Sequence, residues 1–217
     1  MIARACLAVL CVLGTGASAA PYGSLPMPLD ASLAPDMLGT QAIPIRAERF
    51  VINLSRARED DGRNPRLQQL IAPARQLPKA QQLAFVQKAV HDRIAWMSDA
   101  TLWGQHDYWA SASQTLARGA GDMEDRAIVK MQALIALGFN SKDLFLTLAR
   151  DKVDGPVMVL TARVGGRYFI LDDTEGAPFD AERRRFELQP AISFGMAGAW
   201  LHTQKAATKI VTAFVGK

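Results

Sequence analysis

Hydrophobic positions in the first half of the chain recur at intervals of three and four residues. In PKAQQLAFVQKAVHDRIAWM, residues 78–97, Leu83, Val86, Val90, Ile94 and Met97 fall on one face of a helix. A second periodic run puts Ala127, Ile128, Met131, Leu134 and Ile135 on the buried side of a helix from about 123 to 137, with Gly138 as its stop. Ser111 and Gln114 have capping-box spacing, which predicts a shorter helix starting there. Weaker patterns over 46–57 and 64–76 are also read as helical.

Beyond Gly138 the period falls to two. DLFLTLAR alternates Leu144, Leu146 and Leu148, and the β-rich runs VMVLTARV and RYFILDD are joined by Gly165-Gly166. A two-residue turn pairs Val164 with Arg167 and, carried onward, sets Val157 opposite Thr174. Asp172 would then share a face with Val157 as its diagonal neighbour. Helices first and an antiparallel sheet afterwards predict an α+β domain, which we place at residues 46–217.

The stretch before it has no period. Residues 20–45 are rich in Pro, Gly and Ala and read as an extended leader. Residues 1–19, MIARACLAVLCVLGTGASA, set Arg4 before an apolar run and close on Ala17-Ser18-Ala19, the pattern of a secretory signal peptide cut after Ala19. The run is too short to span a bilayer, so the expectation is a periplasmic or secreted protein without a membrane anchor. Both cysteines, Cys6 and Cys11, lie within this segment. The exported chain would therefore have no disulfide, no thiolate metal site and no cysteine nucleophile.

Composition changes this picture little. With 49% hydrophobic and 21% charged residues the chain has ordinary globular make-up, and a net charge of +4 is too mild to indicate nucleic-acid binding. The triplet Arg183-Arg184-Arg185, between Glu182 and Glu187, reads as a solvated face.

Candidate chemistry centres on GAGDMEDRAIVKMQALIALG, residues 119–138, where a glycine turn and a cluster of acids open the second helix. Helix N-terminal N–H groups stabilise a thiolate, yet the residue so placed is Met123, whose thioether has no proton to lose. The segment WGQHDYWASASQTLARGAGDMEDRAIVKMQALIALGF, followed by DGPVMVL and FILDD, resembles the bacterial transglutaminase-like cysteine peptidases, the LapG-like group of periplasmic adhesin-releasing proteases. The likeness runs from about residue 85 to 200. It implies a papain-like arrangement in which a cysteine, a histidine and an aspartate occupy the positions of Met123, Val157 and Asp172 here. Only Asp172 survives, so base-assisted thiol chemistry is excluded.

The resemblance also implies calcium, held by acids flanking the nucleophile position. Asp122 and Glu124 match those positions and Asp125 adjoins them; carboxylates suit a hard cation, although Asp122 also reads simply as an N-cap. Trp103, Tyr108 and Trp109 form an aromatic cluster that reads as core or loop anchors, and that in the family flanks the groove. Of the histidines, His91 reads as a surface residue in a helix, His106 lies beside Asp107 in the aromatic loop, and His202 has no evident nucleophile at strand spacing. The expected function is a catalytically inactive homologue that binds a protein or peptide segment, such as a surface adhesin or a membrane-anchored regulator. That groove would be bounded by Met123, Val157, Asp172 and the aromatics. The alternative is a peptidase or amide-bond acyltransferase with a rearranged, non-cysteine site.

Overall fold

The computed structural model describes residues 33–59, 61–174 and 176–204; residues 1–32, which include the expected signal peptide, lie outside it. A seven-stranded antiparallel sheet carries helices on one face. Its strands are β1 (Thr40–Ile45), β4 (Leu144–Asp151), β5 (Gly155–Val164), β6 (Arg167–Leu171), β7 (Phe179–Asp180), β8 (Leu188–Gly195) and β9 (Gly198–Gln204), in the spatial order β1-β9-β8-β4-β5-β6-β7. The helices are α1 (Val51–Ala57), α2 (Pro65–Ile71), α3 (Lys79–Arg93), α4 (Asp99–Trp103), α5 (Ala112–Arg118) and α6 (Met123–Ala136). Two short strands, β2 (Ala95–Trp96) and β3 (Ala120–Gly121), pair in parallel between them.

Local sequence accounts for the helix ends. Ser111 caps α5 in a full capping box with Gln114, and Asn64 accepts from the Arg66 and Leu67 amides ahead of Pro65 at the start of α2. At the far end of α6 the Gly138 amide bonds to the Ile135 carbonyl and the Phe139 amide to Leu134, with Gly138 at φ +81°. This is the Schellman arrangement, which needs a left-handed residue. Gly138→Ala is therefore expected to cost about 1 kcal/mol in denaturant unfolding, with an unchanged m-value.

The core forms where α6 crosses the sheet. Ile128, Val129, Met131 and Leu134 are buried against Leu144, Leu146, Leu160 and Leu171, with Leu83, Val86 and Val90 of α3 closing the side. On β5 the alternate residues Val157 and Val159 join a separate cluster on the opposite face, with Ala149, Ile170 and Leu188.

Two expectations change. The domain begins before residue 46, because β1 forms the sheet edge beside β9, and Met37 and Leu38 are buried on the face away from the helices. TQAIPI lacks alternation and contains Pro44; an edge strand tolerates both, and the outward Ala42 amide is satisfied by Asp36. The hairpin turn is as expected, with Val164 opposite Arg167 and both glycines at positive φ, but pairing stops at Leu160 opposite Leu171. Val157 therefore has no partner at Thr174. Asp172 Oδ1 accepts from the Thr174 amide (3.2 Å) and hydroxyl (2.7 Å), and this local turn takes the chain out of the ladder.

Candidate functional site: a cleft at the start of helix α6

Met123 is the first residue of α6, half-buried where the helix meets β5. Because β6 ends early, the Met158 amide faces no strand, and Met123 Sδ accepts its hydrogen at 3.1 Å. Thioether sulfur is a weak acceptor. The side chain thus closes an open main-chain donor at the start of the helix.

Met123, Val157 and Asp172 line one cavity of about 200 Å³. Among the described residues that line this cavity there is no histidine. Asp172 Oδ1 accepts from Gln87 at 3.0 Å, and its other oxygen lies 3.6 Å from the Arg184 guanidinium. Arg184 also pairs with Asp151 and with Glu187 (2.8 Å) and stacks over Phe179. The middle arginine of the triplet is thus a cleft residue rather than part of a solvated face. Lys130, buried on α6, donates to the Asp172 carbonyl, and burial lowers its ammonium to about 8. Arg126 fixes Asp173 at 2.6 Å. The Asp172-Asp173 corner is held from three sides by side chains of α3, α6 and the segment before β8.

The acids separate into two roles. Asp99, Asp122 and Asp125 each turn a carboxylate oxygen inward, and these oxygens lie within 4.8 Å of one another; Glu124 is not among them. Asp122 is the N-cap residue of α6 by position, yet its side chain makes no capping bond. Asp99 Oδ2 accepts from the Tyr108 amide at 2.5 Å and Asp125 Oδ1 from the Ala110 amide at 2.7 Å. Asp99 Oδ1, Asp122 Oδ1 and Asp125 Oδ2 are buried with no hydrogen-bond partner. Burial, reinforced by the neighbouring carboxylates, pushes Asp99 up to about 6, Glu124 to about 8 and Asp125 to about 7, and raises Asp122 as well. Packing here is close: a Cβ on Gly121 would stand 2.6 Å from Asp125 Cβ. The parallel pairing of β2 with β3 brings Asp99 beside Asp122. No sequence spacing signals that juxtaposition.

The aromatics do not bound the cleft. Trp109 is a core residue at 2% exposure, packed on Phe50 and Phe194. Trp103 and Tyr108 stack on each other at 4.7 Å, capped by Arg118 and Arg56, and adjoin the acidic group through the Tyr108 amide. His106 is exposed and His91 is half-buried on α3. His202 does have a hydroxyl neighbour: its Nε2 is 2.8 Å from Ser193 Oγ, and its Nδ1 is 2.8 Å from Thr40 Oγ1. Ser193 is wholly buried, and its hydroxyl continues into Thr147 and Thr161. Burial lowers the imidazole to about 4. This row ties strands together and gives a substrate no access to the serine.

A helix N-terminus set against the end of a strand, with a carboxylate at the end of the next, defines the transglutaminase-like class of α+β domains. Residues 54–205 match the family described as bacterial transglutaminase-like cysteine proteinase, and the chain belongs to it. Among solved structures, calcium-bound LapG of Legionella pneumophila is 28% identical, with 73% of this chain and 88% of that one covered at a TM-score of 0.57. The EGTA-treated form of the same protein aligns over 73% and 87% with a TM-score of 0.54. No curated protein matches the chain significantly.

Proposed function

We propose that this chain is an exported member of the family that has lost catalysis and works by holding a protein or peptide segment in the cleft at Met123. One observation carries the reading: the residue at the helix N-terminus is a thioether bonded to the Met158 amide, and Asp172 is engaged by Arg184 and Gln87 instead of an imidazole. Among the described residues that line the cleft there is no cysteine or histidine, whereas a cavity with an apolar floor and a fixed acidic corner is present. Binding draws on shape and hydrogen bonds, which survive loss of the reactive groups. A surface adhesin or a membrane-anchored regulator fits the family's setting. The rearranged-enzyme reading is disfavoured by the burial of Ser193.

Calcium belongs to the same proposal. Three buried oxygens without hydrogen-bond partners, on three carboxylates, are what a hard cation satisfies. Asp99, Asp122 and Asp125 would hold it, completed by main-chain carbonyls and water, and its role would be to brace α4, β3 and the start of α6. A relative of 28% identity is a calcium-bound protein.

Affinity capture from periplasmic and membrane extract tests the cleft. The unaltered chain is expected to retain a partner that Val157→Arg, verified as folded by its melting curve, loses by at least about tenfold, because the longer side chain would fill the cleft and engage its aspartates. Equal capture by both would move the working surface elsewhere.

A further inference from the structure

We infer a second binding surface, which adjoins the cleft through Leu188: a tip that docks on an anionic phospholipid bilayer, with Phe186 and Val153 as apolar anchors and Lys152 and Arg185 receiving the headgroup phosphate. The ladder between β4 and β8 ends at Asp151 opposite Leu188, and the next residues are joined by the Lys152 amide donating to the Glu187 carbonyl at 3.0 Å. One step further out, the β4–β5 turn and the segment before β8 present Val153 and Phe186. They are 90% and 71% exposed, the two most exposed large hydrophobic side chains among the described residues. The two lie on adjoining segments at the end of the ladder.

Beside them a polar cavity of about 470 Å³ opens between Lys152 and Arg185, with Gln189 and Gln204 on its wall. Lys152 is exposed beside it. Arg185 lies over the Phe186 ring at 4.9 Å, and its contact with Glu182 is long, 3.8 Å, between two exposed side chains. Glu187 is engaged by Arg184, and Arg183 adds a further exposed cation, leaving Glu182 and Asp154 as the opposing charges. Guanidinium and ammonium groups next to solvent-facing apolar side chains match a phosphate layer over an acyl layer.

The test is co-sedimentation of the full chain with phosphatidylcholine vesicles, with and without phosphatidylglycerol. The chain is expected to partition onto the anionic vesicles at least about tenfold better, and to be released by high salt. Phe186→Ser with Val153→Ser, and separately Lys152→Glu with Arg185→Glu, should each lower partitioning about tenfold. All four side chains are peripheral, so melting temperatures should not change. Every variant carries the same leader, so binding that ignores both pairs of substitutions overturns the proposal, as does failure to sediment. If inorganic phosphate raises the melting temperature of the parent while vesicles bind nothing, the cavity serves a soluble anion and the bilayer assignment is wrong.

Discussion

Millimolar calcium is expected to raise the melting temperature of this protein by about 5–10 °C, and the rise should be large at pH 8 and small at pH 5. A ligand specific to the folded state at 100 times its Kd contributes about 2.7 kcal/mol, and a domain of this size shifts about 2–4 °C per kcal/mol. The pH dependence follows from the acidic group. Burial and mutual repulsion raise Asp99 to about 6, Asp125 to about 7 and Glu124 to about 8. Between roughly pH 4 and 8 the folded state then holds protons that the unfolded state has released. Stability without metal should therefore fall as pH rises through that window. A bound cation favours the ionised carboxylates and reverses this trend; below about pH 5 protons displace it. Thermal melts at both pH values, with calcium and with a chelator, measure all of this. Asp99→Asn supplies the control, since it removes a charge from the group while keeping an acceptor for the Tyr108 amide. A calcium shift that is absent, or that persists undiminished in Asp99→Asn, would rule out the site.

Asp99 also shows where reading the sequence stops. Helices α3, α5 and α6 were legible from periodicity and caps, because a helix is specified by residues three and four apart and by its own ends. The Gly165-Gly166 turn was legible for the same local reason. Asp99 meets Asp122 only through a two-residue parallel pairing, and no local pattern encodes contact between segments so far apart. β1 went unread because an edge strand with a proline need not alternate. Trp109 reads as a core or loop anchor by its own chemistry and as a groove residue only through the family resemblance; it lies in the core against Phe50 and Phe194, while the Tyr108 ring stacks on Trp103. Of the candidate site, a thioether at the helix start is visible in the sequence, while its equation with a nucleophile position comes from the family resemblance. The Arg184 contact that ties down Asp172 was not visible, since a run of three arginines gives no sign of which one turns inward.

Met123→Cys combined with Val157→His is expected to create a reactive thiolate that Met123→Cys alone does not. At the start of α6 the helix dipole favours the anion, but the nearby carboxylates of Asp122 and Glu124 oppose it, so the single variant should titrate like an ordinary thiol. An imidazolium at 157, reaching across the cavity that both residues line, outweighs them. At pH 6 the thiolate fraction then changes from under about 1% to a majority, and alkylation at residue 123, followed by peptide mass mapping, should quicken on the order of tenfold once the lower nucleophilicity of an acidic thiol is allowed for. The strand itself supplies the register control. Val157 belongs to the cluster on the face away from the helices, whereas Met158 faces α6, so a one-residue slip would put the imidazole on the other side of β5. If Met158→His activates the introduced thiol and Val157→His leaves its pH profile unchanged, the base position is 158 and the cleft has been read one residue out of register. Activation by Val157→His alone would mean that the histidine reaches round the unpaired end of β5. Arg184→Gln should then raise reactivity further, because it frees Asp172 to orient the ring.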